Sequence, residues 1–175
     1  MNADDFATQL AAFAPAASAL MATYGMSAAD AERSRAGYFC RRISQSDQRD
    51  PLLDLCTNFD LSSFEVGMVR LKRRTDFDQD HWDIGRDESD TIIYPKIGGF
   101  VSLRDHGDLN REVCKCARTA EGFLSALLVV AEFSAKCALQ DGDPDQVAAR
   151  QALEQCLRLA GKESRPFYFT LLGVT

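Results

Sequence analysis

The sequence predicts an α+β protein, with helices at both ends of the chain and a group of β-strands between them. Two observations lead to this prediction. Residues 64–117 contain short segments rich in β-branched and aromatic residues, separated by turn-forming residues. On either side, apolar residues recur at the spacing of amphipathic helices. We expect one domain over residues 1–175, with a mainly helical part (1–63), a sheet with the main helix (64–133), and a C-terminal helix and strand (134–175).

Capping residues mark the helix starts ahead of the sheet: Asp4 or Asp5, Ser27, and Asp50 followed by Pro51. Pro15 and Gly25 should end the first and second helices. Gly37 weakens the third helix by about 1 kcal/mol relative to alanine, so we expect a break near it.

The expected strands are Phe64–Leu71, Thr91–Tyr94, Ile97–Leu103 and Glu112–Ala117. Gly67 is a candidate bulge in the first strand. An acidic surface loop should then lead, through a sharp turn formed by Gly85 and Asp90, into a β-hairpin. Pro95 cannot donate a ladder hydrogen bond and lies between the two hairpin strands.

Two further helices are predicted after the strands. Thr119 caps the clearest helix in the chain, which should lie across the sheet. Gly142-Asp143-Pro144 resembles the start of a last helix, and Gly161 should end it. The apolar tail Phe167–Leu172 should pair as a strand or dock in a groove, because an exposed apolar strand is an association hazard.

Negative charge is concentrated in one short window beside the only tryptophan. The window contains Asp76, Asp78, Asp80, Asp83, Asp87, Glu88 and Asp90 against a single base, Arg86. Its charge equals the net charge of the whole chain, −6. A charge run is usually a solvated loop, but this concentration is also typical of an electrostatically steered binding surface. We therefore predict a partner-binding surface formed by Asp78, Asp80, Trp82, Asp83, Arg86, Asp87, Glu88 and Asp90.

Trp82 has two interpretations. Most tryptophans serve core packing, which we take as the first interpretation. A half-exposed anchor, flanked by His81 and Asp83, is the second, because tryptophan is enriched at binding hot spots.

No catalytic constellation is visible, so we predict a protein that is not an enzyme, with no catalytic residues, no cofactor and no metal. The two histidines lack the frame of a serine triad, and the Gly98-Gly99 pair precedes a strand rather than a helix. The alternative is a metal-dependent hydrolase or small-ligand-binding protein that uses His81, Asp83 and Asp90. Cys114 and Cys116 with a histidine form a weaker metal candidate, since their spacing matches no usual zinc knuckle.

Composition favours a cytoplasmic protein. Six cysteines in a chain of 175 residues are more typical of reduced thiols than of a disulfide framework. The acidic N-terminus does not resemble a secretory signal, and no apolar run is long enough to span a bilayer. The basic cluster Arg70, Lys72, Arg73 and Arg74 lies beside seven acids, so we expect neither nucleic acid nor membrane as a partner.

The order of motifs resembles the SUKH superfamily over about Phe64 to Phe133. Ile84-Gly85 is followed by turn residues and by Asp90 ahead of a hydrophobic strand, and a glycine-bearing return strand follows. The segment from Thr119 to Leu124 resembles the family's helix start. Two positions depart from the pattern: Asp83 stands where proline is common, and Ser89 replaces the glycine of the usual Gly-Asp pair.

The resemblance implies an α+β domain with a twisted, mostly antiparallel sheet of about four to six strands packed by helices. Bacterial members are commonly immunity proteins, which neutralise a cognate toxin that is often a nuclease, and fungal relatives are interaction hubs in cell-wall regulation. We therefore expect a bacterial immunity protein of the toxin–antitoxin kind. Its partner would be a protein, and its own state a monomer or weak homo-oligomer; one further option is a homo-oligomer sealed by the C-terminal strand.

Overall fold

The computed structural model describes residues 1–140 and 145–175. The helices in these residues are α1 (Ala3–Phe13), α2 (Ala17–Tyr24), α3 (Ala28–Arg35), α4 (Pro51–Asn58), α5 (Ala120–Cys137), α6 (Gln146–Ala160) and α7 (Arg165–Leu171). The strands are β1 (Arg41–Arg42), β2 (Phe59–Asp60), β3 (Val69–Asp76), β4 (His81–Asp87), β5 (Asp90–Pro95), β6 (Val101–Arg104) and β7 (Glu112–Ala117). Strands β3 to β7 form one antiparallel sheet in sequence order, and β1 pairs with β2. The predicted α+β fold is confirmed.

Local capping signals predicted the starts of three helices. Ser27, Asp50 and Thr119 cap α3, α4 and α5, as expected. The cap of α1 was assigned wrongly: Asn2 accepts from the amide of Asp5 at 2.8 Å, and the Asp5 carboxylate accepts from the Asn2 amide in return. This reciprocal arrangement is a capping box, which satisfies two free amides at once.

Three glycines, Gly37, Gly85 and Gly122, lie where a side chain would collide with backbone. The third helix ends at Arg35 and a 3₁₀ turn follows it, which confirms the expected break near Gly37. A Cβ on Gly37 would lie 2.7 Å from the carbonyl oxygen of Glu65. A Cβ on Gly85 would lie 2.5 Å from the carbonyl oxygen of Arg70, so only glycine allows β3 and β4 to approach here.

The predicted first strand and acidic loop need correction. Strand β3 begins at Val69, because Val66 and Val69 exchange two backbone bonds of 3.0 Å around Gly67, which has a φ of +61°. Residues 77–80 of the predicted acidic connection are a loop, but His81–Asp87 form strand β4 in the interior of the sheet, and Gly85 lies within that strand. The turn is instead at 88–89, where Glu88 has a φ of +50°. The hairpin of β5 and β6 is confirmed.

One face of the sheet packs against the helices. Ile84, Ile92 and Leu103 belong to a buried cluster that includes Phe6 of α1 and Phe123 of α5. We call this the inner face. Register alternation places the neighbouring residues of each strand on the opposite, outer face.

The C-terminal tail is a helix, so the predicted strand there is wrong. Helix α7 directs Phe167 and Tyr168 into the core, where they are 3% and 0% exposed. The homo-oligomer option required an apolar C-terminal strand as its interface, and the helix does not provide that strand. Helix α6 is capped by Asp145, which was not predicted, and is followed by Gly161, as expected. The predicted start at Gly142-Asp143-Pro144 lies outside the described residues.

All six cysteines are free thiols. Within the described part of the chain, no single helix combines the length and the apolar composition needed to cross a bilayer, and only the bent pair α1–α2 meets these criteria jointly.

Candidate functional site

The predicted partner-binding residues do not form a single loop, because they are spread over strand β4 and the segments at its two ends. Asp78 and Asp80 lie in the β3–β4 loop, Trp82, Asp83, Arg86 and Asp87 lie on β4, Glu88 lies in the turn, and Asp90 begins β5. Strand β4 has seven residues and spans about 20 Å. The acidic window is therefore not one loop, because its carboxylates lie at two ends and in the middle of the sheet.

The carboxylates at the β3–β4 loop are already engaged with local partners. Asp76 receives the Lys96 ammonium at 2.6 Å. Asp78 accepts from the amides of Asp80 and His81 and lies 2.9 Å from Nδ1 of His81. These contacts fix the loop and leave Asp80 as an exposed carboxylate.

Trp82 is half-buried and packs against the edge of the core. Arg74 and Lys96 lie over its ring, at 4.6 Å and 4.3 Å from the ring centroid. Cation–π attraction stabilises such contacts, and the two side chains cover the indole. The first interpretation of Trp82, packing, describes this geometry better than a bare anchor.

Asp83 is buried and paired, which removes it from any docking surface. Its carboxylate lies 2.8 Å from the Lys72 ammonium and 3.0 Å from the Arg86 guanidinium. Only 11% of its side chain is exposed. Reversal of Asp83 to lysine would place three cations together, so such a variant would test the fold rather than partner binding.

Six carboxylates converge at the other end of the sheet, from two segments that are distant in sequence. We call this set the acidic end: Asp87, Glu88, Asp90, Asp105, Asp108 and Glu112. The β6–β7 loop lies beside the β4–β5 turn because His106 donates its amide to Asp90 at 3.0 Å. Among nearby bases, Arg111 lies 3.7 Å from Asp105 and is 70% exposed.

Sequence reasoning missed three members of the acidic end: Asp105, Asp108 and Glu112. All three lie outside the dense acidic window: Asp105 and Asp108 belong to a turn-rich link, and Glu112 begins a predicted strand. The available signal was the hairpin itself, since antiparallel strands place the connection after β6 at the same end as the turn before β5.

Asp87 faces a cleft of about 260 Å³ at the acidic end. Leu103, Cys114 and Phe167 contribute to its lining. The Oδ1 atom of Asp87 is buried and has no hydrogen-bond partner among the described residues. Burial, followed by repulsion from Glu88 and Asp90, raises the pKa of Asp87 to about 6.

Two apolar side chains are exposed among these carboxylates. Leu109 is 50% exposed and Val113 is 46% exposed. Protein interfaces typically combine apolar contacts at the centre with polar groups around them. The acidic end therefore offers both charge and apolar contact area.

The histidine at this end does not form a catalytic triad. Ser89 Oγ and Asp90 Oδ1 both approach Nδ1 of His106, at 3.3 Å and 3.0 Å. A triad needs the nucleophile and the carboxylate on opposite ring nitrogens. The contacts instead attach the β6–β7 loop to the β4–β5 turn.

The predicted metal set of His81, Asp83 and Asp90 is not brought together. His81 pairs with Pro95 at one end of the β4–β5 hairpin, while Asp90 pairs with Asp87 at the other. Asp83 is held between them by its own two cations. One ion cannot reach all three side chains.

The residues described contain one group of three potential metal ligands: Asp90, Asp105 and His106, with ligand atoms within 4.8 Å of one another. Asp105 Oδ1 already accepts from the amides of Gly107 and Asp108. Cys114 and Cys116 do face the same side of β7, as expected, but neither joins a histidine in this group.

No protein-family model, curated protein or solved structure matches this chain.

Proposed function

We propose that this chain is a non-catalytic protein-binding domain, an immunity protein that neutralises a toxin through its acidic end. The observation that supports this proposal most directly is the convergence of six carboxylates from two loops around exposed Leu109 and Val113. The corresponding partner surface is basic, with an apolar centre. The phosphate-binding surface of a nuclease has this character, and its occupation would block the substrate.

Electrostatic steering explains why such an arrangement suits neutralisation. Charges around an interface increase the rate of encounter more than they increase the final affinity. A toxin must be captured before it reaches its target, so a fast association is useful. The exposed members Glu88, Asp108 and Glu112 contribute to this field, and none of the three is paired with a basic side chain of the described residues.

The resemblance to the SUKH superfamily supports the same proposal. Its motif residues have clear structural roles here: Gly85 permits the close approach of β3 and β4, and Asp90 anchors the β6–β7 loop through His106. Both residues shape the acidic end, and neither is arranged for bond cleavage.

Co-expression tests the proposal. The protein encoded by the adjacent gene would be induced alone and together with this chain, and growth would be measured. We expect growth arrest from the neighbour alone and recovery with this chain. Recovery should be lost with Glu88→Lys/Asp108→Lys and retained with the matched control Asp47→Lys/Asp80→Lys, whose charge change is equal but lies elsewhere on the surface. Recovery that survives the first variant would exclude the acidic end as the docking surface.

A further inference from the structure

The outer face of the sheet carries a row of arginines across its strands. In the strand register, Arg70 lies opposite Arg86, Arg86 opposite Thr91, and Thr91 opposite Arg104. Adjacent strands are about 5 Å apart, so the three arginines span roughly 15 Å across the sheet.

A second row explains how the centre of this face is covered. It runs from Asp83 through Ile93 and Ser102 to Lys115. Ile93 is fully buried but lies outside the core cluster that includes the helices. Its burial is therefore separate from the cluster that the helices form with the inner face.

The outer face is positively charged although the chain as a whole is negative. Its cations are Arg70, Lys72, Arg86, Arg104 and Lys115, and its anions are Asp83 and Glu112. Lys72 and Arg86 share the single carboxylate of Asp83. With Glu65, whose carboxylate pairs with Arg70, the face has two cations more than anions, on a chain with a net charge of −6.

Several of these guanidinium donors remain available. The Arg70 side chain is 68% exposed and contacts Glu65 at 2.9 Å. Arg104 donates one bond, from Nη1 to the carbonyl of Asn110, which leaves its Nη2 without a partner among the described residues. A guanidinium has five donor hydrogens and binds carboxylates through two parallel bonds.

We infer that the outer face binds an acidic segment of a protein partner, laid across the strands along the row Arg70, Arg86 and Arg104. This interaction goes beyond the proposed function, in which the acidic end contacts a basic surface. The occupant is assigned by charge complementarity. Acidic loops border the positive face at both ends of the strands. A short anionic segment suits this face because all of its charges can lie over the sheet, away from those loops.

A nucleic acid fits this face less well. Single strands are usually held by aromatic rings that stack on the bases. The Phe100 ring lies on this side of the sheet, but the Lys115 ammonium covers it at 4.2 Å from the ring centroid. A longer polyanion along the row would also meet Glu112, which lies opposite Arg104 on β7, and would be repelled there.

Fluorescence anisotropy with two labelled probes tests this inference. The probes are octaglutamate and a single-stranded oligonucleotide of equal charge, titrated with the full chain at about 50 mM salt. We expect octaglutamate to bind and Arg70→Gln/Arg104→Gln to weaken it by about tenfold. The matched control, Arg33→Gln/Arg158→Gln, removes two exposed helix arginines and should leave binding unchanged.

Three results would overturn the inference: no octaglutamate binding, an equal loss in the control variant, or tighter binding of the oligonucleotide that depends on Arg70 and Arg104. The last would assign the face to nucleic acid instead. Glu88→Lys/Asp108→Lys should not weaken octaglutamate binding, whether or not it abolishes toxin neutralisation. The two proposals can therefore fail separately.

Discussion

Neutralising Asp87 should stabilise the protein above pH 6. Its carboxylate is half-buried, with one oxygen unpartnered, and its pKa is raised to about 6 by burial and by Glu88 and Asp90. The unfolded pKa is about 3.9, so the ionised form is disfavoured in the folded state by about two pKa units, or roughly 3 kcal/mol before screening. Water reaches part of the side chain, and we reduce this to about 1–2 kcal/mol.

The sign of the pH dependence follows from the raised pKa. Below pH 4 both folded and unfolded states hold the proton, so the carboxylate has little effect on stability. Between pH 4 and 6 the unfolded state releases its proton first, and stability falls. Above about pH 6 the full penalty is present. Asp87→Asn should therefore gain about 1–2 kcal/mol at pH 7.5 and less than about 0.5 kcal/mol near pH 4.

Urea unfolding followed by Trp82 fluorescence, at both pH values, measures this difference. The corresponding rise in Tm at pH 7.5 is about 2–8 °C for a chain of this size. Asp80→Asn is the control, since Asp80 is exposed at the opposite end of β4 and should change little. The reasoning is refuted if Asp87→Asn is no more stable than wild type at pH 7.5, or if its advantage persists undiminished at pH 4.

Three further predictions concern buried groups. Tyr168→Phe removes a buried hydroxyl that has no hydrogen-bond partner in residues 1–140 and 145–175, and should raise the free energy of unfolding by about 1 kcal/mol; a loss of stability would show that the hydroxyl does have a partner. Asp83→Asn should lower it by about 1–3 kcal/mol, since Lys72 and Arg86 lose their carboxylate; unchanged stability in urea would contradict the pairing. Cys114 should be alkylated first at pH 7.5, because a hydrogen bond with Cys116 lowers its pKa; peptide mapping that shows another cysteine reacting faster would disprove this.

Local sequence signals predicted where α4 and α5 begin, because the interactions that start a helix are formed by residues close in sequence. A cap followed by an apolar stripe specifies where α4 and α5 begin, and no distant contact is needed. The C-terminal tail, in contrast, was predicted wrongly. Phe167–Leu172 is too short for periodicity to distinguish a strand from a helix, and its conformation is set by packing of Phe167 and Tyr168 in the core.

Strand β4 shows why the acidic window was misread. Its polar composition is that of a loop, yet it pairs with strands on both sides. Lys72, eleven residues earlier, supplies the charge that allows Asp83 to be buried. Sequence composition does not reveal such a partner, and a count of charge along the chain cannot separate a buried carboxylate from an exposed one.

Only part of the acidic end was predicted, and the rest was missed for a related reason. Asp87, Glu88 and Asp90 belong to the window found by charge counting, and their position at one end of the sheet follows from the hairpin. Asp105 and Asp108 join them only because β6 returns to the same end. Which charged residues lie close together in three dimensions depends on the order of the strands in the sheet. The sequence predicted this order only for the β5–β6 hairpin.

The central claim is that the acidic end steers a basic protein partner. The most direct test is the association rate constant with the adjacent-gene protein, measured by stopped flow at low and high salt. We predict that Glu88→Lys/Asp108→Lys slows association by about tenfold or more at low salt, that the difference shrinks as salt rises, and that Asp47→Lys/Asp80→Lys has a much smaller effect. Equal slowing by both variants, or no slowing by either, would contradict the claim.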